Sequence, residues 1–235
     1  MKPVLSVVIP TYNEKENIDL LLCEIQDVLV GVSTVFEIIV VDDASCDGTA
    51  EAVLALLPRM PTVRILRRTS TRDLSSSIAE GFDAAQGDFL LVMDADFQHD
   101  PKVIPQMLKQ LQENQAEIVV ATRYADGGSA TAWSAWRYQL SLGATAVARQ
   151  FVSQAVSDPL SGFFLVRQTA WARIRQKLQP QGFKLLFDVL TAEPSLRCVE
   201  CGYHFSARKS GNSKLNGKVI YAFARACWRL WWRVA

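Results

Sequence analysis

Several features common in other proteins are missing from this chain of 235 residues. No stretch approaches the ~18 uncharged apolar residues of a membrane-spanning helix, so no segment reads as a bilayer crossing. No secretory signal pattern opens the sequence. Its five cysteines (Cys23, Cys46, Cys198, Cys201, Cys227) are an odd number without framework spacing, which favours a reducing, cytosolic setting over a disulfide scaffold. Cys198-Val199-Glu200-Cys201 has no second pair, which disfavours zinc, and lies in an extended segment rather than at the helix start a redox motif needs. No G-x-G-x-x-G follows the first apolar segment, which disfavours a dinucleotide cofactor. A formal net charge of +1 argues against general nucleic-acid binding. Acidic residues stop at Glu200, whereas Arg208, Lys209, Lys214, Lys218, Arg225, Arg229 and Arg233 lie beyond it. The C-terminal end is therefore cationic on a near-neutral body.

What is present is a regular alternation over the first 120 or so residues. Apolar runs at 4–10, 36–41, 63–66, 89–93 and 117–121 read as strands, several of them continuous enough to be buried on both faces. Between them, 14–30, 50–57, 74–85 and 101–112 carry helical spacing; Ile18, Leu21, Leu22, Ile25, Val28 and Leu29 share one face. Strand and helix in turn predict a doubly wound α/β sheet, whose ligands bind beyond the carboxyl ends of the strands. Tyr12-Asn13-Glu14, Asp42-Asp43, Asp94-x-Asp96-x-Gln98 and Arg123 all fall there. The second half predicts a long helix over 132–152, a turn at 158–162, a strand over 163–167, helices over 170–178 and 182–191, an extended segment over 197–205, a polar loop over 207–217 and a last helix over 218–235.

Asp94-Ala95-Asp96 ends the most apolar strand. Residues two apart project to the same side of a strand, and two carboxylates so placed repel unless a cation sits between them. Oxygen ligands with open positions suit Mg²⁺ or Mn²⁺, and Gln98 adds an amide oxygen. The alternative is that the pair only ends the strand and caps the next helix. Tyr12 offers either a stacking face for a base or a half-buried strand-end aromatic. His99 and His204 read as structural.

The motifs PTYNEKENI (10–18), VVDDASCDGT (40–49) and GDFLLVMDADFQHDP (87–101) resemble the nucleotide-sugar domain of family 2 glycosyltransferases. RYADGG from Arg123, WRYQLS from Trp136, DPLSGF from Asp158 and FSARKSGNSKL from Phe205 narrow the resemblance to the polyprenyl-phosphate sugar synthases. It implies a GT-A fold and an inverting transfer of a hexose from GDP-mannose or UDP-glucose to a polyprenyl phosphate. The catalytic domain would span 1–216, with a nucleotide-sugar half to residue 122 and an acceptor half with a closing loop beyond it. Residues 217–235 would form an amphipathic interfacial helix. By motif, Pro10, Tyr12, Glu14, Asp42 and Asp94 would hold the nucleotide sugar, with Arg208, Ser213 and Lys214 closing over its phosphates. Asp94, Asp96 and Gln98 would hold the Mg²⁺ or Mn²⁺, and Arg123, Arg137 and Ser141 the acceptor phosphate. Asp96 would be the catalytic metal ligand, and Asp158, the second catalytic candidate, falls where relatives carry a functional carboxylate and would orient an arginine or the nucleophile, with proton abstraction not required.

The resemblance has two departures. Relatives read Gly-Leu where this chain has Asp73-Leu74; a carboxylate there would repel the donor phosphates, so Asp73 must point away or pair with Arg72. Many relatives also continue into transmembrane helices, so this chain is a soluble-domain form or a piece of something longer. Its last helix carries Val219, Ile220, Phe223, Cys227, Leu230 and Trp231 on one face and arginines four apart. That composition suits the headgroup layer on the cytoplasmic face of a membrane, the alternative being packing on the domain, a second copy or a membrane subunit. A saccharide-extending family 2 transferase, which would need a general base, and a non-catalytic nucleotide-sugar-binding scaffold are the other readings.

Overall fold

Continuous burial of the long strands on both faces gives the molecule its three layers. The computed structural model describes residues 2–125, 135–182 and 184–205, with residues 135–138 and 140 described by their backbone. In chain order the elements are β1 (Leu5–Thr11), α1 (Lys15–Gly31), β2 (Phe36–Asp42), α2 (Thr49–Leu56), β3 (Val63–Arg67), α3 (Leu74–Ala84) and β4 (Phe89–Val92). They continue as α4 (Ile104–Glu113), β5 (Ile118–Thr122), α5 (Ala135–Arg149), β6 (Phe164–Arg167), α6 (Gln168–Arg175), α7 (Leu185–Ala192) and β7 (Cys198–Gly202). One sheet contains all seven strands in the order β3-β2-β1-β4-β6-β5-β7. β1 pairs in parallel with β2 and β4, β2 with β3, and β5 with β7. β6 runs antiparallel between β4 and β5, with Val92 opposite Phe164 and Val120 opposite Phe164.

Leu5, Val7, Ile9, Ile38, Val40 and Leu91 point to one face, where α1, α2 and α4 cover them. Val8, Ile39, Val41, Leu90, Val92, Ile118 and Val120 point to the other, beneath α3, α6 and α7. Fully burying each such side chain contributes about 1.5–3 kcal/mol, which is why the α1 stripe of Ile18, Leu21, Leu22, Ile25 and Leu29 is completely covered. The other end of the sheet from the site is closed by polar groups. Burial alone would raise the pKa of Glu37, but bonds from Ser6, the Gln86 N–H and Arg64 bring it below its ordinary value.

Several expected boundaries shift for local reasons. The helix expected from Pro101 begins as a 3₁₀ turn, Pro101–Val103, capped by Asp100, and becomes α-helical only at Ile104. Gly182 has a positive φ of 97°, so the helix expected over 182–191 starts at Leu185. α6 begins at Gln168 and stops at Arg175, earlier at both ends than expected, although Leu178 is still buried. The long helix expected over 132–152 is α5, described from Ala135 to Arg149. The expected polar loop over 207–217 and helix over 218–235 lie outside the described residues. Among those described, no helix is long and apolar enough to cross a membrane. Cys198 and Cys201 are free; burial pushes the first thiol up to about 12, helped by Glu117 and Glu200, and the second to about 11. Neither is a thiolate at neutral pH, in keeping with ordinary thiols.

Gly81 sets the approach of α3 to the sheet. A Cβ at this position would lie 2.4 Å from Val8 Cγ1 and 3.0 Å from Val41 Cγ2, both on stiff, buried side chains. Gly81→Ala is therefore expected to lose about 1–3 kcal/mol in urea unfolding. An unchanged midpoint would show that α3 does not approach the sheet this closely.

Candidate active site

The strand order reverses beside β1: β2 and β3 lie on one side of it and β4 on the other. A crevice opens at such a switch point, above the carboxyl ends of the two strands that flank it. Here those ends carry Tyr12 and Asp94. On the β1 side of this crevice, the loops after β1 and β2 are stitched together. Thr11 Oγ1 donates to Asp42 Oδ1 at 3.2 Å, Asn13 N–H to Ser45 Oγ at 2.9 Å, and Cys46 N–H to Asn13 Oδ1 at 3.0 Å. Asp42 is buried, and its Oδ2 accepts from the Ser45 N–H. Pro10 is buried in β1 opposite Val41. Glu14 is also buried and accepts from Asn17 Nδ2. Half-buried Tyr12 has the Arg72 guanidinium 4.1 Å from its ring centroid. Asp43 is used internally, since it forms an ion pair with buried Arg68 and accepts from the Asp73 N–H.

Asp73 resolves the first departure noted in the sequence by pointing away from the crevice. It is the N-cap of α3: Oδ1 accepts from the Ser76 N–H at 2.8 Å, and Oδ2 from the Gly182 N–H. An Asp at this position satisfies backbone donors that helix geometry leaves unpaired. Arg72 is drawn to Tyr12 instead.

The loop after β4 is held by His99. The Asp94 N–H donates to His99 Nδ1 at 3.0 Å, so the imidazole proton belongs on Nε2, which lies 3.8 Å from Asp94 Oδ2. His99 is buried, stacked on Phe163 with ring centroids 5.0 Å apart, and flanked edge-on by Tyr203 and Phe205. Burial lowers its pKa; Asp94 and Asp96 oppose that, while Arg123 and Lys184 reinforce it. The ring is thus neutral and fixed. Asp96 is 4% exposed, and its Oδ1 accepts from the Gln98 N–H, whereas the Asp94 carboxylate is 41% exposed. Asp94, Asp96 and Gln98 form an all-oxygen donor set. Among the described residues no cluster of three His, Cys, Asp or Glu is present. A cation here would complete its shell from phosphate and water, as Mg²⁺ and Mn²⁺ do, so the residues fit such an ion.

On the other side of β4, the 157–162 turn leads into β6 and meets the end of β5. Arg123 forms an ion pair with Asp158 at 3.2 Å, the Asp158 side chain being 2% exposed. The guanidinium also lies 5.0 Å from the Phe205 ring centroid and 5.2 Å from that of Tyr124. Ser161 Oγ donates to the Ala121 carbonyl, and Glu200 accepts from the N–H and hydroxyl of Ser157, locking the turn to β5 and β7. Gly162 brings that turn against the Asp94–Asp96 loop: a Cβ there would lie 3.3 Å from Asp94 Oδ2 and 3.4 Å from His99 Cε1. Ser141, on α5, has its hydroxyl 3.1 Å from that of Tyr124. Arg137 is one turn earlier on α5, where the backbone alone is described. Arg208, Ser213 and Lys214 lie outside the described residues.

The structure therefore gathers Tyr12, Asp42, Asp94, Asp96, Arg123 and Asp158 along one edge of the sheet. His99 has the structural role expected of it, buried and accepting the Asp94 N–H. One residue at this edge carries no sequence signal. Lys184 precedes the apolar run of α7 without a motif around it, yet its Nζ donates to the Leu160 carbonyl at 2.7 Å inside the turn.

The model of the family described as "Glycosyl transferase family 2" matches residues 6–175. A dolichol-phosphate mannosyltransferase of Pyrococcus furiosus is 40% identical over 96% of this chain. This chain covers 63% of that protein, less than two thirds of its length. Proteins of the same name from Mycosarcoma maydis and Saccharomyces cerevisiae are 37% and 36% identical, with 94% and 93% of this chain and 76% and 83% of theirs covered. Among solved structures, glucosyl-3-phosphoglycerate synthase from Mycobacterium tuberculosis, in complex with Mn²⁺, UDP and glucosyl-3-phosphoglycerate, has a TM-score of 0.67 at 18% identity. That likeness covers 97% of this chain and 78% of the other, and is one of fold. The GT-A arrangement expected from the sequence, on a mostly parallel sheet, is the one found.

Gly162→Ala tests the contact between the turn and the metal motif. The exposed Asp94 carboxylate can swing aside, so thermal stability should fall by less than about 1 kcal/mol. Mn²⁺ affinity in the presence of a nucleoside diphosphate, read by titration calorimetry, should fall roughly tenfold or more through misplacement of one ligand. Unchanged affinity would mean that Gly162 does not position Asp94.

Proposed function

The chain belongs to glycosyl transferase family 2, and on that premise we propose that it transfers mannose from GDP-mannose to a polyprenyl phosphate. The curated relatives named dolichol-phosphate mannosyltransferase support the choice of mannose over glucose and of a lipid phosphate over a saccharide. The observation that carries the reading is the arrangement around β4. The Asp94–Asp96 motif lies on one side, and the Arg123–Asp158 ion pair follows on the other, with Gly162 between them. Donor and acceptor phosphates can thus meet along one sheet edge.

The chemistry needs little proton transfer. A phosphate monoester has a second pKa of about 6, so the acceptor is largely dianionic at neutral pH and already a nucleophile. One of its oxygens bonds to the sugar's anomeric carbon as the bond to the β-phosphate breaks, and that electron pair leaves with GDP. Attack from the far side inverts the anomeric centre. Asp94, Asp96 and Gln98 would hold a divalent ion, which would supply Lewis-acid neutralisation of the diphosphate leaving group. Tyr12, Asp42, Glu14 and Pro10 bind the nucleoside, and Arg208, Ser213 and Lys214 are assigned to the donor phosphates by motif. Arg123, with Arg137 and Ser141, seats the acceptor phosphate through charge-assisted bonds. Asp158 is the positioning partner of Arg123, with Oδ2 at 3.2 Å from the guanidinium, and a dianionic acceptor leaves it no proton to remove. A saccharide acceptor would require a base and has less use for this arginine.

The prenyl tail of the acceptor brings the reaction to a membrane surface. The cationic, tryptophan-bearing 217–235 segment has the composition to lie there, on the cytoplasmic face where nucleotide sugars are available.

Asp96→Asn can keep the acceptor of the Gln98 N–H, so the fold should survive. Transfer from GDP-mannose to a short polyprenyl phosphate should fall on the order of 10³-fold, equivalent to several kcal/mol of lost Lewis-acid stabilisation. Retained turnover with Mg²⁺ or Mn²⁺ supplied would sink the metal role. Preference for UDP-glucose over GDP-mannose in the wild-type protein would sink the donor assignment.

A further inference from the structure

We propose that Lys184 is a third cation of the acceptor-phosphate site, held in place by Asp73 through the 180–182 loop; this rests on the transferase reading above. Lys184 stands immediately before α7, and its ammonium reaches back to donate to the Leu160 carbonyl at 2.7 Å. That carbonyl belongs to the turn whose Asp158 pairs with Arg123 and whose Gly162 abuts Asp94. The ammonium has three N–H donors, and the Leu160 bond uses one. Among the described residues, no carboxylate forms an ion pair with it, and Asp158 Oδ1 is buried without a hydrogen-bond partner. Burial lowers the pKa of Lys184; Asp158 raises it, Arg123 lowers it and Asp94 raises it. Lys184 therefore senses the acceptor-side pair and the metal motif together. A half-buried cation with no direct ion-pair partner among the described residues is costly in an empty site and compensated once a dianion arrives.

The segment before Lys184 is fixed by three bonds from the first turn of α3. The Gly182 N–H donates to Asp73 Oδ2, the Ser75 N–H to the Gly182 carbonyl at 3.0 Å, and Ser76 Oγ to the Pro180 carbonyl at 2.9 Å. Gly182, at φ 97°, turns the chain in a conformation that L side chains rarely adopt. The carboxylate that stands where the family reads glycine thus acts on this loop, two residues from the ammonium. Asp73 is a positioning residue and Lys184 the group that touches substrate.

Lys184→Gln separates the two roles a lysine could have here, because its amide can still donate to Leu160 while the charge is gone. With the melting temperature retained, its KM for a short prenyl phosphate should rise about tenfold to a hundredfold, the scale of one charge-assisted hydrogen bond, with the KM for GDP-mannose unchanged. Lys184→Arg should recover most of that loss, and Asp73→Gly should show a smaller rise in the same constant. An unchanged acceptor KM in Lys184→Gln, or a shift in the donor KM alone, would overturn the proposal. So would an equal loss in Lys184→Arg and Lys184→Gln, which would indicate packing. Equilibrium binding of the prenyl phosphate, followed by tryptophan fluorescence, keeps the two readings apart. Wild-type protein that binds it without turnover would count against the transferase reading, while weaker binding by Lys184→Gln would still support Lys184. Wild-type protein that does not bind it would overturn both.

Discussion

The antiparallel insertion of β6 between β4 and β5 is the pairing on which the rest depends. In a wholly parallel sheet, the segment leading into a strand lies at the edge remote from the ligands. Because β6 runs the other way, its first residue, Phe164, pairs with Val92 at the end of β4 and with Val120 near the end of β5. The turn that precedes it is thereby delivered to the carboxyl edge. Asp158 meets Arg123 and Gly162 meets Asp94 as a direct result. Without that reversal, Arg123 would lose its buried Asp158 partner and Asp94 its neighbour Gly162.

Holding such an edge requires backbone that ordinary strands and helices do not supply. Asn13, Ala44 and Phe97 all have positive φ, and they lie in the loops after β1, β2 and β4 respectively. For a residue as large as Phe97 this conformation costs about 1–2 kcal/mol. Its side chain is 6% exposed within the main core, a burial worth about 1.5–3 kcal/mol, enough to offset the strain. The core thus anchors a turn that presents Asp96 and Gln98. Neutral His99 does the same for Asp94 by accepting its backbone N–H, so the loop is organised before any ligand arrives.

Much of this was legible from residue order. Continuous apolar runs revealed the buried strands, and the polar clusters at their ends marked the ligand edge, because strands buried on both faces leave functional groups nowhere else to project. The direction of β6 was not legible, since a short apolar run such as Phe164–Arg167 reads the same in either orientation. Lys184 was missed because its meaning comes from a contact with Leu160, 24 positions away, that no local pattern encodes. Asp73 could have been recognised as a cap, as it is followed by Leu74-Ser75-Ser76 at a helix start.

The central claim is that one sheet edge seats both phosphates, with a divalent ion at Asp94 and Asp96 and the acceptor at Arg123. It is tested most directly by crystals grown with Mn²⁺, GDP-mannose and a non-transferable prenyl phosphonate. Diffraction at the manganese absorption edge should show one anomalous peak bridging the two carboxylates and the donor diphosphate, with the phosphonate phosphorus in contact with the Arg123 guanidinium. A manganese peak elsewhere, or a phosphonate remote from Arg123, would contradict the account.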